Sequence, residues 1–171
     1  CAGKRKRIYV RPEPYLAEYY QGDARRTDRI VEDACRDHDV FVIPRDPTQA
    51  RHYKRMQDKG VTVLDEPLGL ADLVSRADLF FGAGGTMSRE LALLGVPVLS
   101  VYQGKELVVD QVLISEGRLV HKKEPCMRDL EQLMEKKDVQ EPFDELLQKG
   151  QTAFSLLLQE LYALLRRGQR S

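Results

Sequence analysis

The stretch Leu79-Phe80-Phe81-Gly82-Ala83-Gly84-Gly85-Thr86-Met87-Ser88-Arg89-Glu90-Leu91-Ala92-Leu93-Leu94-Gly95-Val96-Pro97-Val98-Leu99-Ser100-Val101 holds one complete structural unit. An apolar run short enough for a strand enters a glycine-rich loop. A helix-forming segment follows over Met87 to Leu94, and Gly95 and Pro97 occupy positions that end helices. Val98 to Val101 is then a second strand. Strand, glycine loop, helix and strand make a crossover unit, which places the two strands parallel.

The same alternation runs outward in both directions. Ile8-Tyr9-Val10 is a β-branched and aromatic run closed by Arg11-Pro12-Glu13-Pro14. Val40 to Ile43 is continuously apolar up to Pro44, as in a strand buried on both faces. Val61 to Leu64 and Leu119 to His121 supply two more strands. Between them, periodic or polar segments predict helices over 28–36, 48–58, 70–75, 110–116 and 128–137. A weak turn near 142–149 and a long helix over 151–167 complete the chain. The expected fold is a doubly wound, Rossmann-like, mostly parallel sheet of six strands, one α/β domain spanning 1–171. Sheets of this kind bind ligands at the carboxyl ends of their strands. The loops after Val10, Ile43, Leu64, Phe81 and Val101 are therefore where binding residues are sought.

Composition narrows the function. The 171 residues are 42% hydrophobic and 32% charged, with Lys+Arg and Asp+Glu both at 27. Neither half hoards one sign: residues 1–85 hold 15 basic and 14 acidic side chains, residues 86–171 hold 12 and 13. A duplex-binding protein shows a basic excess on one face, so nucleic acid is not an expected partner. No apolar run is long enough to cross a bilayer. Three cysteines, Cys1, Cys35 and Cys126, form no metal-ligand pattern and read as reduced thiols of a cytoplasmic protein. The start at Cys1, followed by Lys4-Arg5-Lys6-Arg7, fits a domain cut from a longer protein better than a lipidated end. The leucines of 154–165 form an ordinary packing stripe interrupted by Gln159 and Glu160, so membrane association is not expected. His38, His52 and His121 are scattered and read as structural.

Gly82-x-Gly84-Gly85-Thr86 is the chemical centre of the sequence. Glycines let backbone approach a ligand, and free N–H groups with the positive end of the following helix favour phosphate. Thr86 would cap that helix or bond a phosphate oxygen. The alternative is a tight turn that uses glycine for geometry alone. Two nucleotide motifs are absent. A dinucleotide fingerprint would need glycine at Met87 and an acid ending the next strand, and a P-loop would need Gly-Lys-Ser/Thr. On a helical wheel of about 100° per residue, Met87, Leu91 and Leu94 mark the buried stripe. Arg89 then falls in solvent and Glu90 at the stripe's flank. There Glu90 would either reach a ribose over the strand ends or merely complement the helix dipole.

Residues 77–121 resemble the C-terminal domain of GT-B-fold enzymes, specifically the UDP-N-acetylglucosamine 2-epimerases and the N-acetylglucosaminyltransferase of peptidoglycan synthesis. With Arg11-Pro12-Glu13-Pro14 upstream, the chain resembles more closely an archaeal and bacterial family catalogued as domain of unknown function 354. The resemblance implies that Gly84, Gly85 and Thr86 meet a diphosphate. It implies that Glu90, five residues before Gly95, holds ribose hydroxyls. Gln103 and Lys105 are similar to a Q-x-K stretch, and Asp110-Gln111 to a polar pair that contacts the sugar, with two extra residues between them here. Arg11 sits where the epimerases carry an arginine near the phosphates, although the transferase has a glycine-rich loop there.

The expected function is therefore the nucleotide-sugar half, UDP-sugar by resemblance, of a glycosyltransferase or sugar epimerase, with an N-terminal domain supplying the rest of the cleft. No cofactor or protein-bound metal is expected. The chain by itself is expected to be inactive, and a homo-oligomer is compatible with the sequence. The competing expectation is a non-catalytic Rossmann-like module for interaction or anion sensing.

Overall fold

The computed structural model describes residues 5–14, 26–135 and 143–168. Cys1, Lys4 and the start of the expected turn at 142 lie outside the described residues. In chain order the elements are β1 (Arg7–Arg11), α1 (Arg26–Asp37), β2 (Asp39–Val42), α2 (Pro47–Lys54), a 3-10 turn (Gln57–Lys59), β3 (Val61–Val63), α3 (Leu70–Arg76), β4 (Leu79–Gly82), α4 (Thr86–Leu93), β5 (Val98–Ser100), α5 (Val108–Ser115), β6 (Leu119–His121), α6 (Met127–Glu135) and α7 (Phe143–Gly168).

The six strands form one sheet in the order β3-β2-β1-β4-β5-β6, and every pairing is parallel. The expected doubly wound sheet is the fold of this protein. Alternation along the strands divides the apolar residues into two cores. Ile8, Val10, Val40, Val42, Leu79, Phe81 and Leu99 face α1 and α6 residues such as Val31, Ala34, Leu130 and Leu133. Tyr9, Ile43, Phe80 and Val98 face Leu73, Leu91, Ala92 and Leu113 on α3, α4 and α5. Period-two alternation within strands that are buried on both sides gives this division directly. Tyr9 stacks on Phe41 with ring centroids 4.9 Å apart.

β1 and β4 are neighbours although α1, β2, α2, β3 and α3 intervene in sequence, because the strand order reverses between them. Arg11, the last residue of β1, pairs with Gly82, the last residue of β4. Beyond that pair the two chains diverge, one into Pro12-Glu13-Pro14 and the other into Ala83-Gly84-Gly85. A crevice at such a reversal point is where open α/β sheets bind ligands.

Residues 1–139 and 140–171 are two compact units. In the second, α7 runs unbroken through Gly150, where the sequence predicted a separation between a turn and a helix. An interior glycine costs about 1 kcal/mol against alanine, which 26 residues of helix absorb. Phe154, Leu157, Leu161, Leu164 and Leu165 are exposed on α7. No helix among the described residues is long and apolar enough to cross a membrane.

Candidate functional site

A cleft of about 310 Å³ opens at the β1/β4 reversal, lined by Pro14, Arg45, Ala83, Gly84, Gly85, Arg89, Tyr102 and Leu107. Its floor is the glycine loop. Gly84 and Gly85 have φ of 78° and 98°, conformations that residues with a Cβ avoid. A Cβ on Gly84 would lie 3.1 Å from the Cβ of Tyr102, so the Tyr102 ring rests directly against this backbone. A Cβ on Gly85 would meet nothing, so its glycine serves backbone conformation alone. Gly85, with ψ 179°, stands at the N-cap of α4 and carries no side-chain cap. The first N–H groups of α4 therefore have no capping side chain, the arrangement that suits an anion.

The wall opposite comes from the loops after β1 and β2, which are strapped to one another. Arg11 Nη1 donates to the Pro44 carbonyl (3.1 Å), and Arg45 Nε donates to the Pro12 carbonyl (2.7 Å). Gln49, fully buried in α2, accepts from the Arg45 backbone N–H (2.8 Å) and donates to the Glu13 carbonyl (2.9 Å). The buried Glu13 carboxylate accepts the Thr27 hydroxyl. Arg-Pro-Glu-Pro is thus a clamp whose carbonyls and carboxylate hold α1, α2 and Arg45. The Arg11 guanidinium is pushed below its ordinary value by burial and then by the neighbouring charge of Arg45.

On the third side, Arg89 makes a two-pronged ion pair with Asp110 (Nε–Oδ1 2.8 Å, Nη2–Oδ2 3.0 Å). Asp110 also accepts the Leu107 N–H (3.3 Å), which fixes the start of α5. The Arg89 hydrogen bonds hold the Asp110 carboxyl below its ordinary value against the opposing effect of burial. The 102–107 loop is tied further by His121, whose Nε2 donates to the Tyr102 carbonyl (2.8 Å) while Nδ1 faces Glu106 Oε1 at 2.6 Å.

The residues singled out from sequence divide sharply. Gly84 and Gly85 line the cleft; Thr86 is exposed and is the first helical residue rather than the cap. Arg11 sits behind Arg45. Gln103 donates its amide to the Val101 (2.7 Å) and Lys123 (3.1 Å) carbonyls, joining the ends of β5 and β6. Lys105 is exposed on the 102–107 loop. Asp110 engages Arg89 and the helix end. Glu90 is exposed and does not line the cleft, because α4 is rotated from the expected phase. Its buried residues are Ser88, Leu91 and Ala92, which turn Arg89 toward the cleft and Glu90 away. The small residues are needed there: a Cβ at Gly82 would already be 3.1 Å from Ser88 Oγ. Sequence reasoning missed Arg45, Arg89 and Tyr102. Arg45 stands in a loop that strand order had flagged, but nothing in the sequence tells which of its residues turns inward. Among the described residues no cluster of three or more His, Cys, Asp or Glu side chains suits a metal ion.

An all-parallel sheet in this order, with its glycine loop at the reversal crevice, defines a Rossmann-like α/β domain, and the solved structures it superposes on place its fold among GT-B domains. The glycosyltransferase VinC, solved in complex with dTDP, superposes with a TM-score of 0.55 at 19% identity over 78% of this chain and 34% of that one. A putative UDP-N-acetylglucosamine 2-epimerase from Listeria monocytogenes gives 0.52 at 21% identity, over 80% and 38%. Within that fold, the family described as "Protein of unknown function (DUF354)" matches residues 1–155, and the chain belongs to it. The uncharacterized protein MJ0665 of Methanocaldococcus jannaschii is 34% identical over 116 residues, 67% of this chain and 33% of the relative. The chain spans about a third of the length of the proteins it matches.

Proposed function

We propose that this chain is the nucleotide-sugar-binding half of a glycosyltransferase or sugar epimerase, with a UDP-sugar as its ligand. The observation that carries the reading is the glycine loop, whose two left-handed residues bring bare backbone and the uncapped start of α4 to the floor of the β1/β4 crevice. Similarity of fold to VinC and to the Listeria protein supports it, as does the family resemblance at Gly84, Gly85 and Thr86.

In this reading the amides of the loop and of the first turn of α4 take the diphosphate. The helix end offsets charge that grows on a departing nucleoside diphosphate, in a cleft where preorganised dipoles act more strongly than in water. Tyr102 and Leu107 supply an apolar wall against the ligand. A second domain, occupying the remaining length seen in the relatives, brings the acceptor or the acid–base groups. Lys105 and Gln103 lie on the loop that borders the sugar in this reading, and Glu90, expected to hold the ribose, lies outside the cleft lining. Calorimetry of the 171-residue chain with UDP and with UDP-N-acetylglucosamine tests the reading. Saturable heat corresponding to millimolar binding or tighter, about 4 kcal/mol or more, is expected. Absence of binding by both ligands contradicts it.

A further inference from the structure

His121 ends β6 with both ring nitrogens against hydrogen-bond acceptors. Nε2 lies 2.8 Å from the Tyr102 carbonyl oxygen and Nδ1 lies 2.6 Å from Glu106 Oε1. A carbonyl oxygen only accepts, so Nε2 carries a proton, and a neutral ring then presents a bare lone pair at Nδ1. A lone pair held 2.6 Å from a carboxylate oxygen is repulsive. One proton between Nδ1 and Glu106 turns the same contact into a short, charge-assisted bond. The His121 side chain is only 8% exposed, so water has little room to take the place of Glu106. The other charges around the ring are already matched. Asp110 on α5 is gripped by Arg89 from α4, and its carboxyl is lowered first by those hydrogen bonds and last by charge on His121. Lys122, next in the chain, pairs with Asp129 of α6 at 2.5 Å. From β5 the uncharged Ser100 stands opposite His121.

What this pair holds is the 102–107 loop, and with it one wall of the cleft. The Tyr102 side chain lies between two glycines. A Cβ on Gly84 would be 3.1 Å from Tyr102 Cβ, and one on Gly104 would be 2.6 Å from Tyr102 Cζ. Gly104 stands two residues before Glu106, so the segment packed on the ring is the one that Glu106 tethers. We propose that His121 is a positioning residue for the cleft, and that the proton it shares with Glu106 latches the 102–107 loop with the Tyr102 side chain against Gly84. When that proton leaves to solvent, Nδ1 and the carboxylate repel, Glu106 lets go, and the Tyr102 wall loosens. The wall is therefore set at the acid side of the range in which imidazole exchanges its proton and slack at the alkaline side. This rests on the reading of the cleft as a ligand site and names the residue that fixes one of its walls.

The test is NMR of the 171-residue chain between pH 5 and 9, free and with UDP. In the free protein at the low end, both ring nitrogens of His121 should carry protons, and Overhauser contacts should join the Tyr102 side chain to the Gly84 α-protons. Raising the pH should remove the Nδ1 proton and weaken those contacts with the same midpoint. Glu106→Gln sets an amide against Nδ1 that donates to a neutral ring and accepts from a charged one, so the Tyr102 contacts should persist at every pH. His121→Gln keeps a donor for the Tyr102 carbonyl and has nothing to titrate, and should be equally flat. UDP affinity is taken as the ratio of the original to Glu106→Gln, which cancels the nucleotide's own titration. That ratio should fall about tenfold across the range, the loss of one charge-assisted bond. Tyr102 contacts that ignore the His121 proton, or that keep their pH dependence in both variants, overturn the latch. So does a lowered melting temperature in the variants with no change in pH dependence, which marks a merely structural contact. A flat affinity ratio with UDP still bound overturns the positioning role. If UDP binds at no pH, the nucleotide reading fails, and the free-protein spectra decide the latch by themselves.

Discussion

The amino and carboxyl edges of the sheet, where its strands begin and end, carry arginines in similar number and hollows of similar size, and only the carboxyl one is proposed as a site. At the amino edge a hollow of about 360 Å³ is lined by Arg5, Lys6, Arg7, Asp39 and Asp78. There Arg5 pairs with Asp39 at 2.6 Å and Arg7 with Asp78 at 3.6 Å. The Arg5 guanidinium also donates to the carbonyls of Cys35 and Arg36 (3.1 Å each) and of His38. It caps the carboxyl end of α1, where the helix dipole favours a cation. At the carboxyl edge, Arg11 and Arg45 donate to carbonyl oxygens of each other's loops, and Arg45 lines the cleft with Gly84 and Gly85. The comparison teaches that charge near a hollow does not define a binding site. What marks the proposed site is the bare N–H groups of a glycine loop at the strand ends where the sheet order reverses.

The strongest way to break that comparison is at the glycine loop. Gly85→Val should abolish detectable UDP binding, because it forces a branched side chain into a conformation reserved for glycine. Strain of about 1–3 kcal/mol should appear as a lowered melting temperature. An intact melting temperature with intact affinity would mean that the loop is merely a turn.

At the other edge, Arg5→Ala should cost about 1 kcal/mol of stability through the lost α1 cap, measured by urea unfolding, and leave UDP affinity unchanged. An effect on affinity would erase the distinction between the edges.

A third variant concerns the side wall. Asp110 has its carboxyl held below the ordinary 3.8, first by the Arg89 hydrogen bonds. A depressed carboxyl contributes stability above its unfolded value and loses it as pH falls through the lower folded value. Asp110→Asn should therefore destabilise the chain by about 1 kcal/mol at neutral pH. It should also flatten the fall in stability below pH 3.8, as followed by unfolding at a series of pH values. An unchanged acid limb would show that the pair contributes nothing net.

The smallest effect is expected at Ser88, which is 1% exposed with a hydroxyl that makes no hydrogen bond. Ser88→Ala should be neutral or stabilising by up to about 1 kcal/mol, since no bond is lost and a buried polar atom is removed. Destabilisation beyond that range would indicate a polar role for α4 beneath the glycine loop.

Much of the fold was legible because strands buried on both faces announce themselves as apolar runs, as Val40 to Ile43 and Leu79 to Phe81 do. Gly84 and Gly85 were legible because a strand-to-helix loop that needs left-handed residues must write them as glycine. The phase of α4 was not. In two turns of helix, Met87, Leu91 and Leu94 make an apolar wheel as convincing as Ser88, Leu91 and Ala92, and hydrophobicity favours the first. Close approach to Gly82 selects the second, and that is a tertiary fact. Arg45 was illegible for a related reason: its inward turn depends on Pro12 and Gln49, whose contacts with it span the sheet rather than the local sequence. Asp110 was expected by resemblance to contact the sugar, and what the sequence did not show is that its carboxylate is engaged by Arg89, a residue that the expected helix phase had placed in solvent.

The most direct measurement is a UDP titration of isotopically labelled protein followed by amide NMR. The account predicts saturable shifts at Gly84, Gly85, Arg45 and Tyr102, with the amides of Arg7, Asp39 and Asp78 at the opposite edge unmoved. Shifts confined to the amino edge, or no saturable shift at the glycine loop at UDP concentrations of about 10 mM, well above the expected millimolar dissociation constant, would contradict it.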